Sequence, residues 1–140
     1  MNLFPVRDLV ILVVCSNRDV LEVIERLLGH LEINVTCVMS TDAALVMLQT
    51  ETYSAMISDH KMKDFNGREF SRTVRQLFPA LNVVLFEGNT SSQVMDLFLD
   101  PEVSEISEVQ NQACSLGDML MSILRGERGK TYLLRQTSTR

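Results

Sequence analysis

Apolar segments of two kinds alternate along this chain. Short continuous runs of apolar, mostly branched residues, such as residues 9–14, are typical of strands that are covered on both faces of a parallel sheet. Between these runs, apolar residues recur every three or four positions, which predicts amphipathic helices. The predicted strands are 9–14, 34–39, 54–58, 82–86 and 103–107, and the predicted helices are 19–31, 41–48, 70–78, 94–98 and 112–124. This alternation predicts an α/β fold, a doubly wound five-stranded parallel sheet with helices on both faces.

Polar residues follow several of the predicted strands. In open parallel sheets, ligands bind beyond the carboxyl ends of the strands, at the switch in strand order. The polar residues at these ends are Cys15, Ser16, Asp59 and Glu87. We therefore expect these side chains to meet in one pocket.

Length and composition exclude several classes of protein. The 140 residues, 46% of them hydrophobic, fit one globular domain, for which ~100–200 residues are usual. The longest apolar runs are far shorter than the ~20 residues that span a bilayer, and residues 1–8 do not resemble a signal peptide. We therefore expect a cytoplasmic protein without membrane contact. The net charge of −5 disfavours direct binding to nucleic acid.

The three cysteines, Cys15, Cys37 and Cys114, are odd in number and widely spaced. This pattern predicts neither a disulfide framework nor a zinc site.

Two segments flank the predicted domain at residues 9–124. Residues 1–8 form a short N-terminal lead. Residues 125–140 contain five basic residues, one acidic residue and two glycines, and they end in a polar stretch. We expect a flexible, solvated tail, and the alternative is a basic segment that docks onto an acidic partner or back onto the domain.

The most specific motif is Ile-Ser-Asp-His-Lys-Met-Lys-Asp-Phe-Asn-Gly at residues 57–67. With the order of strands and helices, it resembles the phosphoacceptor turn of the response-regulator receiver (chemotaxis-type) domain family, and the resemblance covers residues 9–124. Met62 lies three residues and Gly67 eight residues after Asp59, as in the family, whereas Lys63 replaces the usual proline. The resemblance implies a flavodoxin-like (βα)5 fold and an aspartate that accepts a phosphoryl group, with magnesium, from a histidine kinase.

Most other groups of the family's pocket are replaced in this chain. In the family, two acids after the first strand bind magnesium with the acceptor aspartate, and a Thr or Ser after the fourth strand and a Lys after the fifth bind the phosphoryl oxygens. The degenerate pocket positions that the resemblance implies here are Cys15, Ser16, Glu87, Gly88 and Glu108, and no lysine occurs between residues 63 and 130. Magnesium prefers an octahedral shell of oxygens, which a thiol does not supply. We therefore expect no metal or other cofactor.

Asp59 and Glu87 each have alternative roles. Asp59 is either the phosphoacceptor or a strand-end residue that accepts hydrogen bonds from neighbouring backbone amides. Glu87 repels a phosphoryl group if its carboxylate faces Asp59, because like charges oppose each other. Alternatively, Glu87 points to solvent, or the two carboxylates together bind a cation in a rearranged site.

Cys15 precedes a predicted helix N-terminus, where the pKa of a thiol is lowered. It is therefore either a redox-sensing thiol or an inert, small replacement for an aspartate.

The preserved fold and the replaced pocket predict a pseudo-receiver. Such a module is not an enzyme, and it acts by protein–protein interaction independently of phosphorylation. The alternative is an atypical receiver that a histidine kinase phosphorylates on Asp59. The expected partner is a histidine kinase or another signalling protein, and residues 90–124, which correspond to the family's usual output surface, predict a homodimer contact.

Overall fold

The computed structural model describes residues 9–62, 67–88, 90–99, 104–106, 121 and 123–136. Within these residues, the strands are β1 (Val10–Val14), β2 (Asn34–Val38), β3 (Ala55–Asp59), β4 (Asn82–Phe86), β5 (Ser104–Ile106) and β6 (Thr131–Gln136). The helices are α1 (Arg18–His30), α2 (Thr41–Thr50), α3 (Gly67–Leu77) and α4 (Ser91–Leu99). Of the last predicted helix, residues 121, 123 and 124 are described and are helical, and the rest lies outside the described residues.

The sheet has the strand order β2-β1-β3-β4-β6-β5. All neighbours from β2 to β6 pair in parallel, whereas β5 pairs antiparallel to β6 at the edge. The central strands consist almost wholly of buried apolar residues because helices cover both faces. The prediction of a doubly wound sheet with five parallel strands is therefore confirmed.

Side-chain alternation along the strands divides the core into two layers. Ile11, Val13, Ile57 and Phe86 pack on one face with helices α1 and α4. The intervening residues, such as Leu12, pack on the other face with α2 and α3. Each layer shields one face of the sheet, so within the described residues a site is expected at the strand ends.

Local capping fixes the starts of the first two helices. Asn17 Oδ1 accepts hydrogen bonds from the amides of Asp19 (2.9 Å) and Val20 (3.3 Å), and Ser40 Oγ accepts one from the amide of Ala43 (3.1 Å). These contacts satisfy amides that lack partners within the helix. Asn17 and Ser40 are therefore the N-cap residues of α1 and α2.

The fifth parallel strand is not the one that the sequence predicts. The segment at residues 103–107 yields only the short antiparallel β5, and β6 occupies the place beside β4. The prediction of a flexible tail is therefore wrong for residues 131–136, and the domain boundary at residue 124 is wrong with it. The physical reason is the apolar part of β6: Leu134 is fully buried, and Tyr132 and Leu133 pack against the two core layers. The N-terminal lead at residues 1–8 lies outside the described residues.

Polar contacts hold the turn before β6 against the start of β4. The buried Asn82 side chain donates to the carbonyl of Glu127 (2.9 Å) and accepts from the amide of Lys130 (3.1 Å). Arg75 donates to the carbonyl of Leu81 (2.8 Å) and to the Thr131 hydroxyl. These bonds satisfy buried polar groups on both sides, so they favour the inserted position of β6.

Gly129 lies in the same turn, with a φ of +68°. A Cβ at this position would lie 2.7 Å from the carbonyl oxygen of Pro79, so the close approach requires glycine.

No helix among the described residues is long and apolar enough to cross a membrane.

Candidate functional site

The candidate site lies at the carboxyl edge of the sheet. Asp59 ends β3 and is level with Phe86, the last residue of β4. Cys15 follows β1 directly, and its Sγ lies 3.7 Å from Asp59 Oδ2. Glu87 follows β4, and its amide donates to the carbonyl of Leu134 in β6 (3.0 Å). The parallel strands thus bring the predicted strand-end residues to one edge of the sheet.

Both oxygens of the Asp59 carboxylate accept from donors within the protein. The Cys15 thiol donates to Oδ2, and the amide of Lys61 donates to Oδ1 at 3.0 Å. The amide of Asn17 donates to the sulfur of Cys15 at 3.4 Å, which fixes the side chain of the cysteine. Asp59 therefore has the backbone contact of a strand-end aspartate and, in addition, a contact with Cys15, the residue that follows β1.

Burial raises the pKa of Asp59 above its ordinary value. The hydrogen bonds from the Lys61 amide and the Cys15 thiol, and the nearby positive charges, oppose this increase but do not cancel it. The pocket therefore disfavours the negative charge of the carboxylate, although that charge is what a nucleophilic acceptor needs.

Burial also raises the pKa of the Cys15 thiol, to about 11. The hydrogen bond from the Asn17 amide lowers this pKa, but the charge of Asp59 raises it further. The expectation that the helix N-terminus lowers the pKa of this thiol is therefore wrong, because desolvation and a neighbouring carboxylate outweigh the helix.

We expect Cys15 to react slowly with iodoacetamide at pH 8. Its pKa of about 11 lies two units above the ordinary value of 9.0, so the thiolate fraction at this pH is about a hundredfold lower than for a free cysteine. The rate should be measured by mass spectrometry of the Cys15 peptide in the native protein, with the protein in 6 M guanidinium as the matched control. Equal rates in both states would contradict a buried, protonated thiol and restore the redox hypothesis.

Glu87 pairs with the residue that follows Asp59. His60 Nε2 lies 3.5 Å from Glu87 Oε2, and the side chains are 15% and 37% exposed. The amide of His60 donates to the carbonyl of Phe86 at 2.9 Å, which anchors the backbone next to Glu87. Glu87 is therefore held in a contact with His60, and a protonated imidazole supplies its counter-charge.

His60 is the residue that sequence reasoning misses at this site. Its side chain is mostly buried, and Nδ1 is a buried atom without a hydrogen-bond partner among the described residues. The sequence does place a histidine after β3 and a glutamate after β4, and these strands are neighbours in the sheet. The hydrophobic pattern does not show that the two side chains form a pair.

The residues of the pocket do not fit a magnesium ion. Magnesium requires hard oxygen ligands in near-octahedral geometry, and the position beside Asp59 holds a thiol that itself donates to the carboxylate. Among the described residues, no cluster of three or more histidine, cysteine or acidic side chains is arranged to hold a metal ion. A cation shared by Asp59 and Glu87 stays a prediction, and the contact of Glu87 with His60 competes with it.

The remaining predicted positions have separate local roles. Ser16 is half-buried after β1, and Met62 is buried in the layer formed with α2 and α3. Gly88 lets α4 approach, since a Cβ there would lie 2.9 Å from Val94 Cγ2. Gly67 begins α3, whereas Glu108 lies outside the described residues.

The position of β6 brings a different basic residue to the carboxyl edge of the sheet, where the family has its lysine. Leu134 is level with Phe86, so Arg135 is the next position along β6, at the carboxyl edge of the sheet. The predicted fifth strand at residues 103–107 contains β5, which is separated from β4 by β6.

Comparison with known families gives one match, to the response regulator receiver domain, over residues 11–106. This segment contains Asp59 and ends with β5, so β6 lies outside it. No curated protein shows a significant match.

Several solved structures share the fold. A CheY-like response regulator receiver domain from Methylobacillus flagellatus is 23% identical, with a TM-score of 0.60 over 82% of this chain and 98% of that one. The response regulator TrrA from Thermotoga maritima, in complex with Mg²⁺ and BeF, is 20% identical, with a TM-score of 0.55 over 58% of this chain and 70% of that one. A structure of the histidine kinase ThkA in complex with TrrA also matches, with 20% identity and a TM-score of 0.54 over 61% and 79% of the two chains.

Proposed function

Because this chain belongs to the response regulator receiver domain family, we propose that it is a receiver module of two-component signalling that works by protein–protein contact, without phosphorylation of Asp59. The contact between the Cys15 thiol and the Asp59 carboxylate is the observation that most supports this proposal. It places a hydrogen-bond donor where the family's reaction needs a metal ligand. The module then keeps the shape of a receiver but lacks the chemistry of the switch.

Charge around Asp59 supports the same conclusion. A phosphoryl group adds negative charge, and that charge must be neutralised as it develops. Here burial already disfavours the ionised carboxylate, and Glu87 adds a further acid after β4. His60 is the one described side chain that contacts Glu87 and can offset its charge, so the pocket resists additional negative charge.

The partner that we propose is a histidine kinase or another signalling protein of the same pathway. The structural relative TrrA has been solved in complex with the kinase ThkA, so a receiver of this fold binds a kinase through its surface. Helix α4 exposes two large apolar side chains, Met95 and Leu99. Exposed apolar groups of this size favour a protein contact, and a homodimer through residues 90–124 is the second form of contact that we propose.

A second candidate function is an atypical phosphoacceptor. The register of β6 supports it, because Arg135 lies at the carboxyl edge beside the position of Glu87. An arginine there is always charged and binds phosphate oxygens well, so it offers a replacement for the family's lysine. This function also needs Cys15 to release Asp59.

An amide NMR titration with Mg²⁺ followed by beryllofluoride tests the two functions. Without a working acceptor, we expect no saturable shifts around Asp59 at millimolar Mg²⁺, because the donors that occupy the carboxylate are part of the fold. TrrA, which is known in complex with Mg²⁺ and BeF, is the positive control. Saturable shifts that centre on Asp59 and disappear in Asp59→Asn would overturn the phosphorylation-independent function and support the second candidate.

A further inference from the structure

The two outer strands of the sheet differ in how they are protected against pairing with another strand. Proteins usually protect such strands with charged residues, proline, bulges or a very short length. On one side, β5 has three residues and contains Glu105. On the other side, β2 has five residues without a charge or a proline, and it pairs with β1 in an unbroken register. Among the described residues, no strand covers the outer side of β2, so this side is open to another strand.

The bonds between β2 and β1 show which residues of β2 face outward. The first residue of β2 donates its amide to the carbonyl of Leu9 (3.2 Å), and the carbonyl of the last residue accepts from the amide of Cys15 (3.1 Å). Successive residues of a strand direct their backbone groups to opposite sides, so Thr36, between these two, also faces β1. Val35 and Cys37 therefore direct their amides and carbonyls away from the sheet.

We propose that the outer side of β2 pairs with β2 of a second copy of this chain, in antiparallel orientation about a two-fold axis at Thr36. In this register, Val35 of each copy lies opposite Cys37 of the other. Opposite residues whose backbone groups face each other exchange both hydrogen bonds in an antiparallel pair, so all the outward groups of these residues find partners. Thr36 then lies opposite its own copy, at the kind of position where side chains come closest and paired threonines stabilise the contact.

The residues in and around β2 favour a second copy as the occupant. Identical residues meet at a two-fold axis, so a charged residue there would repel its own copy, and β2 has none. Met39 directly after β2 is 42% exposed, and Leu31 shortly before it is 44% exposed. The proposed register places Met39 opposite Ile33 of the second copy, two positions from Leu31. Pairing therefore covers apolar side chains that a single copy exposes to solvent.

This contact lies at the opposite end of the sheet from the surface at residues 90–124. Helix α4 of that surface contacts β5 and β6, whereas β2 is the outer strand at the other end. The pairing therefore joins two receivers in one continuous sheet and leaves α4 of each copy available for a partner. A pair of five-residue strands is a small contact beside the ~1,200–2,000 Å² of stable interfaces, so we expect a weak dimer that forms as the protein concentration rises.

Amide hydrogen exchange, measured by NMR in dilute and in concentrated protein, tests the pairing without any substitution. In dilute protein, the amide of Thr36 should exchange slowly because it faces β1, whereas the amides of Val35 and Cys37 should exchange fast. As the concentration rises, the exchange rates at Val35 and Cys37 should fall in proportion to the fraction of monomer, and the rate at Thr36 should stay the same. Fast exchange at every concentration would overturn the proposal. Slow exchange that does not depend on concentration would assign this side of β2 to a segment of the same chain and overturn it too.

Charged substitutions at the axis test the register. Thr36→Lys and Thr36→Glu each place two like charges opposite each other, so each variant alone should raise the dissociation constant of the dimer at least about fivefold in sedimentation velocity. A mixture of the two variants should associate again, because a lysine then lies opposite a glutamate. A loss of folding alone would not produce this rescue. Unchanged association of the single variants, or a mixture without rescue, would overturn the register.

Two further variants keep the result specific. Thr36 is half-buried, and if its charged variants do not fold, Cys37→Pro removes one outward amide, as proline does on outer strands, and should abolish the dimer. The matched control is Leu99→Ala on α4, an exposed site that should leave this dimer unchanged. A dimer that persists in the Thr36 variants and is lost in Leu99→Ala would assign the contact to residues 90–124. That result would overturn the pairing through β2 and leave the proposed function intact.

Discussion

Replacing Leu134 by alanine is expected to lower the free energy of unfolding by about 2–5 kcal/mol. Leu134 is fully buried in the layer that α1 and α4 cover, and β6 lies between β4 and β5. The substitution removes apolar contacts and leaves a cavity among residues that cannot collapse around it. The loss is a large share of a typical stability of 5–15 kcal/mol, so urea unfolding at 25 °C measures it directly.

The matched control is Leu99→Ala, which truncates the same side chain at a site that is 56% exposed. We expect a change within about 0.5 kcal/mol for this variant. A chain that ends at residue 136 should keep its stability, whereas one that ends at residue 128 should unfold because it lacks β6. A loss below about 0.5 kcal/mol for Leu134→Ala would contradict the strand and restore a tail outside the sheet.

The double substitution Cys15→Asp with Ser16→Asp is expected to create magnesium binding. It removes the thiol that donates to Asp59 and brings three carboxylates to the carboxyl edge of the sheet. Such an arrangement suits a hard divalent ion, whereas without the ion the like charges repel and destabilise the fold. If the dissociation constant is on the order of 1 mM, 10 mM Mg²⁺ stabilises the variant by about 1.4 kcal/mol. Urea unfolding with and without Mg²⁺ measures this difference.

Two comparisons make this result specific. The unsubstituted protein should show no Mg²⁺-dependent stabilisation beyond that given by an equal ionic strength of NaCl. Addition of Asp59→Asn to the double variant should abolish most of the effect, because it removes the central carboxylate. If the unsubstituted protein is itself stabilised by Mg²⁺, the pocket is complete by other means and the phosphorylation-independent function is wrong.

The elements of the first four strand–helix units follow from the sequence. Continuous apolar runs predict β1 and β4 to within one residue, because strands buried on both faces allow few polar residues. Asn17 and Ser40 mark helix starts because each cap depends on residues two or three positions away. The meeting of Cys15 and Asp59 also follows, since parallel strands place their carboxyl ends at one edge.

The tertiary structure alone decides three features that matter for function. The short apolar stretch around Leu134 lies among basic and polar residues, and only pairing with β4 shows it as a strand. The high pKa of the Cys15 thiol depends on burial and on Asp59, which lies 44 residues away, whereas the local sequence indicates only a helix start. The contact between His60 and Glu87 likewise joins two strands. The sequence by itself therefore determined the elements and the edge where they meet, because these depend on local patterns. The choice of β6 as the fifth parallel strand, the high pKa of Cys15 and the contact of His60 with Glu87 depend on residues that are distant in the sequence. Only the folded chain brings these residues together.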